Sequence, residues 1–489
     1  MKKVALLFFV FVITSGVICY GQNNYRDISS EVLIDKIRGG LLGQMLGNLN
    51  GIPHEMQYIN EPGKVNEYVP ALPEGARTDD DTDFEWVYIY TMQQENTIML
   101  PARRLVELWK ERINKGIWCS NRYSRHLMDL GIEPPLTSNI SLNPWAEFNI
   151  SGQFICETFG LIAPGLPQTA SKIGLHYTRI TIDAEPAQTT QLFCTMISTA
   201  FFENDINKIL ESGIAALDKN SEIREIINNV RLWHKKYPDD WRSTRQRIKE
   251  KYSAYNGAMR DKNGYELNTA ATIAALLYGQ GDFTKTLLTA FNFGWDADNT
   301  AATAGTIVGV VKGYRWMMSQ GWVIIDRYNN TKRENMPNDE TITSFADRLV
   351  ELGEKVITDA GGERRMINGR LYFTIPVEKP VNVQALPDLD SRIRESKNET
   401  RSFIERIISR GGSKQEHARA AYIAVCLGIA PEMMSAYPEN WKKAVDDLSG
   451  YCKVMQNIFY DSDIPGIYRL RESFLKAGIK KPEEKKAVW

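Results

Sequence analysis

An all-α fold with one small β element and a C-terminal helical accessory segment is the class that this 489-residue sequence predicts. Three observations lead there. Apolar residues recur at three- and four-residue spacing through most of the chain, runs alternating at every second residue are scarce, and two of the helical stretches carry a regular stripe of glycine.

The elements follow in chain order. Lys2 and Lys3 precede an apolar run from Val4 to Val12 that continues through small and apolar residues to Cys19, the layout of a secretory signal peptide. Cys19 and Gly21 suit the small positions before a cut at Gln22, so residues 1–21 are read as a leader and the protein as exported to the periplasm or the extracellular space. A lipid-anchored Cys19 would want a small residue where Ile18 stands, and the run is too short to span a membrane.

Periodicity then predicts helices over 34–50, 83–94, 103–115, 186–202, 222–234, 269–278, 284–293 and 299–316. The best strand covers 369–377, where Leu371, Phe373, Ile375 and Val377 alternate after an Asn368-Gly369 turn signal. With the polar stretch 387–400 behind it, this marks residues 363–400 as a β element and linker. Helices at 401–410, 415–427 and 441–459 make 401–489 a helical accessory domain without a cluster of catalytic residue types, ending in a loose tail from Lys480.

Composition narrows the partners. The net charge of -1 offers nothing to nucleic acid or to an anionic membrane surface. Past the leader stand Cys119, Cys156, Cys194, Cys426 and Cys452, an odd set with no CxxC spacing, which excludes a disulfide scaffold and a zinc ribbon. His54, His126, His176, His234 and His417 have no metal-ligand spacing among themselves.

Gly39, Gly43, Gly47 and Gly51 recur every four residues in the first helix, and Gly305, Gly309 and Gly313 repeat the device in a later one. Each interior glycine costs a helix about 1 kcal/mol relative to alanine, so a stripe this regular predicts the close approach of another backbone or of a ligand. The simplest packing sets the two striped helices side by side at the domain centre.

Two acid clusters stand at predicted helix starts: Arg77-Thr78-Asp79-Asp80-Asp81-Thr82-Asp83 and Gly294-Trp295-Asp296-Ala297-Asp298-Asn299-Thr300. Carboxylates this dense repel one another unless protons, cations or a metal offset them, and Asp, Asn and Thr oxygens suit a hard divalent ion. The competing reading makes Asp81, Thr82 and Asp298 ordinary N-caps, although capping needs only one such residue per helix. An EF-hand is excluded, since Ala301 stands where its turn needs Gly and Ile307 where its loop needs Glu.

These segments resemble the ADP-ribosylglycohydrolases. Gly43-Gln44-Met45-Leu46-Gly47-Asn48-Leu49-Asn50-Gly51-Ile52-Pro53-His54-Glu55 follows that family's opening Gly-rich helix and Gly-x-Pro-x-Glu ending. The 78–83 cluster resembles its Thr-Asp-Asp-Thr motif, and Asp296, Asp298 and Asn299 resemble its Asp-x-Asp-Thr/Ser motif. Phe159 to Pro167 is similar to a segment of a divergent branch. The likeness spans roughly residues 30 to 360. Asn48 and Asn299 depart from the family pattern, as does the Thr181-Ile182 neighbourhood, where a Ser-His pair is usual.

The resemblance implies an orthogonal helical bundle of the ADP-ribosylglycohydrolase type over residues 22–362, with two Mg²⁺ ions held by Asp79, Asp80, Asp81, Asp296, Asp298 and Asn299. One register puts Asp79, Asp80 and Asp81 on the motif's ligand positions with a helix beginning after Thr82; the other uses Thr78, Asp79 and Asp80. Glu55 and Asp80 are the expected catalytic carboxylates, and Asn48, Trp295 and Asn268 the expected substrate contacts. The implied reaction is hydrolysis of an N- or O-glycosidic bond at the anomeric carbon of a ribose, in an ADP-ribosyl conjugate or a related small molecule. Two alternatives remain at this point: a metal-independent helical-toroid glycoside hydrolase acting on polysaccharide, and a non-catalytic ADP-ribose-binding relative.

Overall fold

The computed structural model describes residues 24–253, 264–460 and 465–486. The segment read as a signal peptide lies outside the described residues. No helix among the described residues is long and apolar enough to cross a membrane.

The fold is predominantly helical, with two small three-stranded sheets among the described residues. The predicted helices form, and their ends move where glycine or tertiary contacts intervene. The 299–316 stretch divides into Ala297–Lys312 and Tyr314–Met318 because Gly313 sits at φ +81, outside helical space. The 441–459 stretch divides at Gly450 into Pro438–Ser449 and Cys452–Tyr460. Helix Cys119–Asp129 escapes the periodicity because Ser120, Asn121, Ser124 and His126 lie on its buried positions. Hydrogen bonds satisfy that polar face, as when Ser124 Oγ donates to the Thr137 carbonyl.

The predicted strand is half of a hairpin, Glu363–Ile367 with Arg370–Val377, turning at Asn368 and Gly369, both at positive φ. A third strand, Asn24–Ser29, joins its far edge and was not predicted. It hands over directly to the opening helix Ser30–Gly51, whose N-cap Ser29 accepts from Val32 N. The second sheet is tiny: Ala76–Arg77 runs parallel to Tyr328–Asn329, which pairs antiparallel with Asp339–Glu340. Its value is positional, because it seats the start of the first acid cluster beside the 330–333 loop.

The two glycine-striped helices do pack face to face, antiparallel. A methyl group added at Gly39 would lie 2.6 Å from Gly309 O, and one at Gly43 would fall on the Gly305 backbone. At Gly47 it would lie 2.6 Å from Ala302 N, and at Gly51 3.0 Å from Asp298 N. No side chain fits in this seam, which explains the four-residue period.

Two expectations for the C-terminal part are corrected. The polar stretch 387–400 is not a linker: most of it is the first half of helix Leu389–Arg410, whose buried Ser396, Thr400 and Ile404 pack inward. The tail is held, with Gln456 bonding both Glu484 O and Lys486 N, and Ile479 buried. One apolar core runs through both parts of the molecule. At their junction Tyr422 OH donates to Leu142 O, Arg419 to Gly131 O and Asn139 to Ser396 Oγ, bracing the 131–143 segment that leads to the cavity wall.

Candidate metal centre

The opening helix ends at Gly51, a single 3₁₀ turn Ile52–His54 follows, and Glu55 comes next. Because Gly51 abuts Asp298 in the antiparallel seam, this path delivers Glu55 to the N-terminal end of helix Ala297–Lys312. The carboxylates of Glu55, Asp296 and Asp298 offer oxygens all within 4.8 Å of one another. Two backbone devices hold that end. Met56 N donates to Trp295 O at 2.7 Å, and Asp296 N donates to Asn268 Oδ1 at 3.2 Å.

The first cluster meets the same point from the other side. Helix Asp80–Gln94 begins three residues earlier than expected, with Asp79 at its N-cap and Asp81 in its first turn. Asp79, Asp81 and Asp298 form a second set of carboxylate oxygens within 4.8 Å. Asp298 thus belongs to both triads.

Capping does not account for these acids. Neither Asp79 nor Asp296 makes a side-chain cap hydrogen bond, whereas Asp205, Ser221, Asp240, Asp282, Thr341 and Ser413 do so on other helices of this chain.

Neutral and cationic donors surround the second triad. Asn48 Nδ2 donates to Asp79 Oδ2 at 3.2 Å and to Asp81 Oδ2 at 2.9 Å, and Asn299 Nδ2 donates to Asp81 Oδ1 at 3.3 Å. Lys332 Nζ lies 2.7 Å from Asp79 Oδ1 and 3.8 Å from Asp80 Oδ1. The loop bearing Lys332 is pinned on both sides. Thr78 Oγ1 accepts from the backbone N of Thr331 and Lys332, and the Arg333 guanidinium forms a fully buried ion pair with Asp83 at 2.7 Å.

Burial and mutual repulsion set the proton affinities. Burial first, then the neighbouring Asp298 and Asp296 charges, drive Asp81 well above the usual carboxylate range. Burial with Asp296 and Glu55 does the same to Asp298. Burial and Asp79 push Asp80 up to about 7 against the pull of Lys332, and the same influences raise Glu55. Burial opposes the Lys332 charge, but Asp79 and Asp80 outweigh it and raise its affinity for the proton. Protons or a divalent cation must therefore neutralise this centre at neutral pH.

Above the acids opens a cavity of about 530 Å³, lined by Glu55, Asp79, Asp80, Asp81, Asp296, Asp298 and Lys332 on its floor. Trp118, Asn121, Arg122, Trp145 and Asn149 are among its walls. Sequence reasoning missed Lys332, Trp118, Asn121, Arg122 and Asn149. Lys332 has no local motif to announce it, since a parallel pair of two-residue strands brings it to the acids.

The chain's sequence matches the family model described as ADP-ribosylglycohydrolase over residues 29–357. The chain belongs to the ADP-ribosylglycohydrolase family. It is accordingly a glycosidic-bond hydrolase, of a family that is metal-dependent in general. A solved structure described as an ADP-ribosylglycohydrolase-related protein complex aligns at 14% identity and a TM-score of 0.43, covering 67% of this chain and 99% of that one. No curated protein matches the chain.

Within this ADP-ribosylglycohydrolase, the expected site residues divide. Glu55, Asp79, Asp80, Asp81, Asp296 and Asp298 converge on the cavity, with Asp80 outside both triads. Thr78 turns its hydroxyl to the 331–332 backbone, away from the ligand register that would use it. Asn299 presents its amide nitrogen to Asp81 while its oxygen accepts from Gln153, so the expected oxygen ligation is not what this geometry offers.

None of the three expected substrate contacts lines the cavity. Asn48 is buried behind the Asp79 and Asp81 carboxylates. Asn268 is fully buried and holds the Asp296 backbone. Trp295 is a core residue under the Arg245 guanidinium, 4.4 Å from its ring centre. Thr181 and Ile182 are buried as well, so the departure there does not change the cavity surface.

Proposed function

We propose that this chain is an exported, magnesium-dependent hydrolase that cleaves an N- or O-glycosidic bond at the anomeric carbon of a ribose, in an ADP-ribosyl conjugate or a related nucleoside-like substrate. The observation that carries this reading is the pair of carboxylate triads joined through Asp298 at the floor of one cavity. Oxygen-only donors at this spacing suit a hard cation such as Mg²⁺, and Asp298 Oδ1 is buried with no hydrogen-bond partner, as a ligand oxygen reserved for a cation would be. Glu55, Asp296 and Asp298 would hold one ion, with Asp79 and Asp81 grouped on the other side of Asp298.

A divalent cation bound here supplies Lewis-acid charge to oxygens of the substrate. The protein's own groups do the rest. Glycosidic cleavage builds positive charge on the sugar, which the carboxylates of the floor stabilise. Asp80, in the cavity lining and outside both triads, is placed to give a proton to the leaving group or take one from water. Glu55 at the cavity edge would orient a ribose hydroxyl. Trp118 on the wall provides flat apolar surface for a base or sugar ring, and Arg122 provides positive charge for a phosphate.

Family membership leaves the metal-independent polysaccharide reading without support. The test is a hydrolysis screen with and without Mg²⁺ over ADP-ribosyl-arginine, ADP-ribosyl-serine, O-acetyl-ADP-ribose, nucleosides and simple glycosides. Metal-dependent turnover of a ribosyl compound is expected. Turnover that survives chelation would overturn the mechanism, and calorimetric binding of ADP-ribose with no turnover at all would mark a binding-only relative.

A further inference from the structure

We infer that the two triads are not equivalent: the Glu55/Asp296/Asp298 position takes a divalent ion, while Asn48 and Lys332 fill the Asp79/Asp81 position with the protein's own donors, leaving a one-ion resting centre. This deepens the magnesium reading above and rests on it.

The donors decide the asymmetry. A cation shared by Asp79 and Asp81 belongs between their carboxylates, and that is where Asn48 Nδ2 sits, within hydrogen-bond reach of an oxygen on each. The other Asp79 oxygen carries the Lys332 ammonium at 2.7 Å, and the other Asp81 oxygen accepts from Asn299. All four oxygens of these two side chains are therefore already engaged by N–H donors. Asp298, only 4% exposed, keeps Oδ1 without a hydrogen-bond partner, and on the other side Glu55 and Asp296 each offer a carboxylate oxygen within 4.8 Å of one of its oxygens.

Lys332 is built into its place rather than swept there. Thr78 fixes the backbone N–H of Lys332 itself and of the residue before it. The residue after it, Arg333, is locked by the Asp83 pair, by a bond from Nη1 to Lys115 O at 2.7 Å and by stacking over Phe84. The pinned backbone fixes where the side chain starts, and its ammonium lies 2.7 Å from Asp79 Oδ1. Lys332 supplies one permanent positive charge where a second ion would supply two, so it serves the acids of this face without an exchangeable metal.

Ion stoichiometry tests this on the full chain. Isothermal titration with Mn²⁺ should give one tight ion per chain, and its electron paramagnetic resonance spectrum should be that of an isolated ion. Asp296→Asn should abolish that binding, and Asp79→Asn should retain it. The double variant Asn48→Asp with Lys332→Met should take two ions, with the broadening that two neighbouring Mn²⁺ ions impose on each other. Circular dichroism and melting confirm that each variant is folded, and the wild-type count stands even where the double variant fails to fold. Two tight ions in the wild type would overturn the inference while leaving the metal reading intact. No ion in the wild type would overturn both.

Discussion

Gly47→Ala places a single methyl group in the seam that sets the site. On helix propensity alone the change stabilises by about 1 kcal/mol. In the structure the new carbon would stand 2.6 Å from Ala302 N and nearer still to the Ala301 carbonyl, where real contacts of this kind essentially never fall below 3.0 Å. Both obstacles are backbone, so no rotamer change relieves them, and the helices must part by roughly 1 Å to restore ordinary contact. Overpacking of this severity costs about 3 kcal/mol, which leaves a net loss of about 2 kcal/mol. Asp298 lies one turn from the obstruction, so the Glu55/Asp296/Asp298 oxygens separate as well. The assay is denaturant unfolding of the metal-free protein beside Mg²⁺ titration of the folded one. Lower stability with a metal affinity reduced roughly tenfold or more is expected, because sites of this kind tolerate only about 0.5 Å of error. A variant as stable as the parent or more so would refute the seam.

Three further outcomes are expected. The metal-free protein should lose stability as pH rises from about 4 to about 7: Asp80 has its folded pKa raised to about 7, so over that window the native state holds the proton that the unfolded chain releases. Mg²⁺ should restore the loss, which melting curves at several pH values with and without the ion would detect. Asn268→Leu removes the acceptor of the Asp296 N–H and should weaken metal binding by roughly 10- to 100-fold, the usual consequence of losing a group behind the ligands. Trp118, 58% exposed on the cavity wall, should tolerate Ala within about 0.5 kcal/mol of stability, while KM for the substrate rises.

The helical class and the central seam were legible because both rest on local periods. Apolar spacing marks a buried face, and four glycines at four-residue spacing have no cause other than close approach. The acids were legible for a similar reason, since their density has no role in capping. The wider surroundings of the site were not. Lys332 reaches Asp79 through a two-residue parallel pairing that leaves no sequence period. Trp118 and Arg122 stand at the start of a helix whose buried face is polar, which hid the helix as well as the wall. Trp295 and Asn268 misled for the opposite reason. Both lie close to the acids in sequence or space, but at φ +52 the Trp295 backbone turns its carbonyl to Met56, and the ring packs in the core. The first half of helix 389–410 reads as a linker because it is polar, and only the far end, predicted as a helix over 401–410, carries the apolar positions that periodicity detects.

The most direct measurement is Mg²⁺ calorimetry on the wild type and on Asp298→Asn, which keeps the size and shape of the side chain while removing the charge shared by both triads. Measurable binding in the wild type and a loss in the variant beyond the roughly 100-fold ceiling seen for groups behind the ligands is the predicted result. Equal affinity in the two proteins would contradict a metal centre at Asp298.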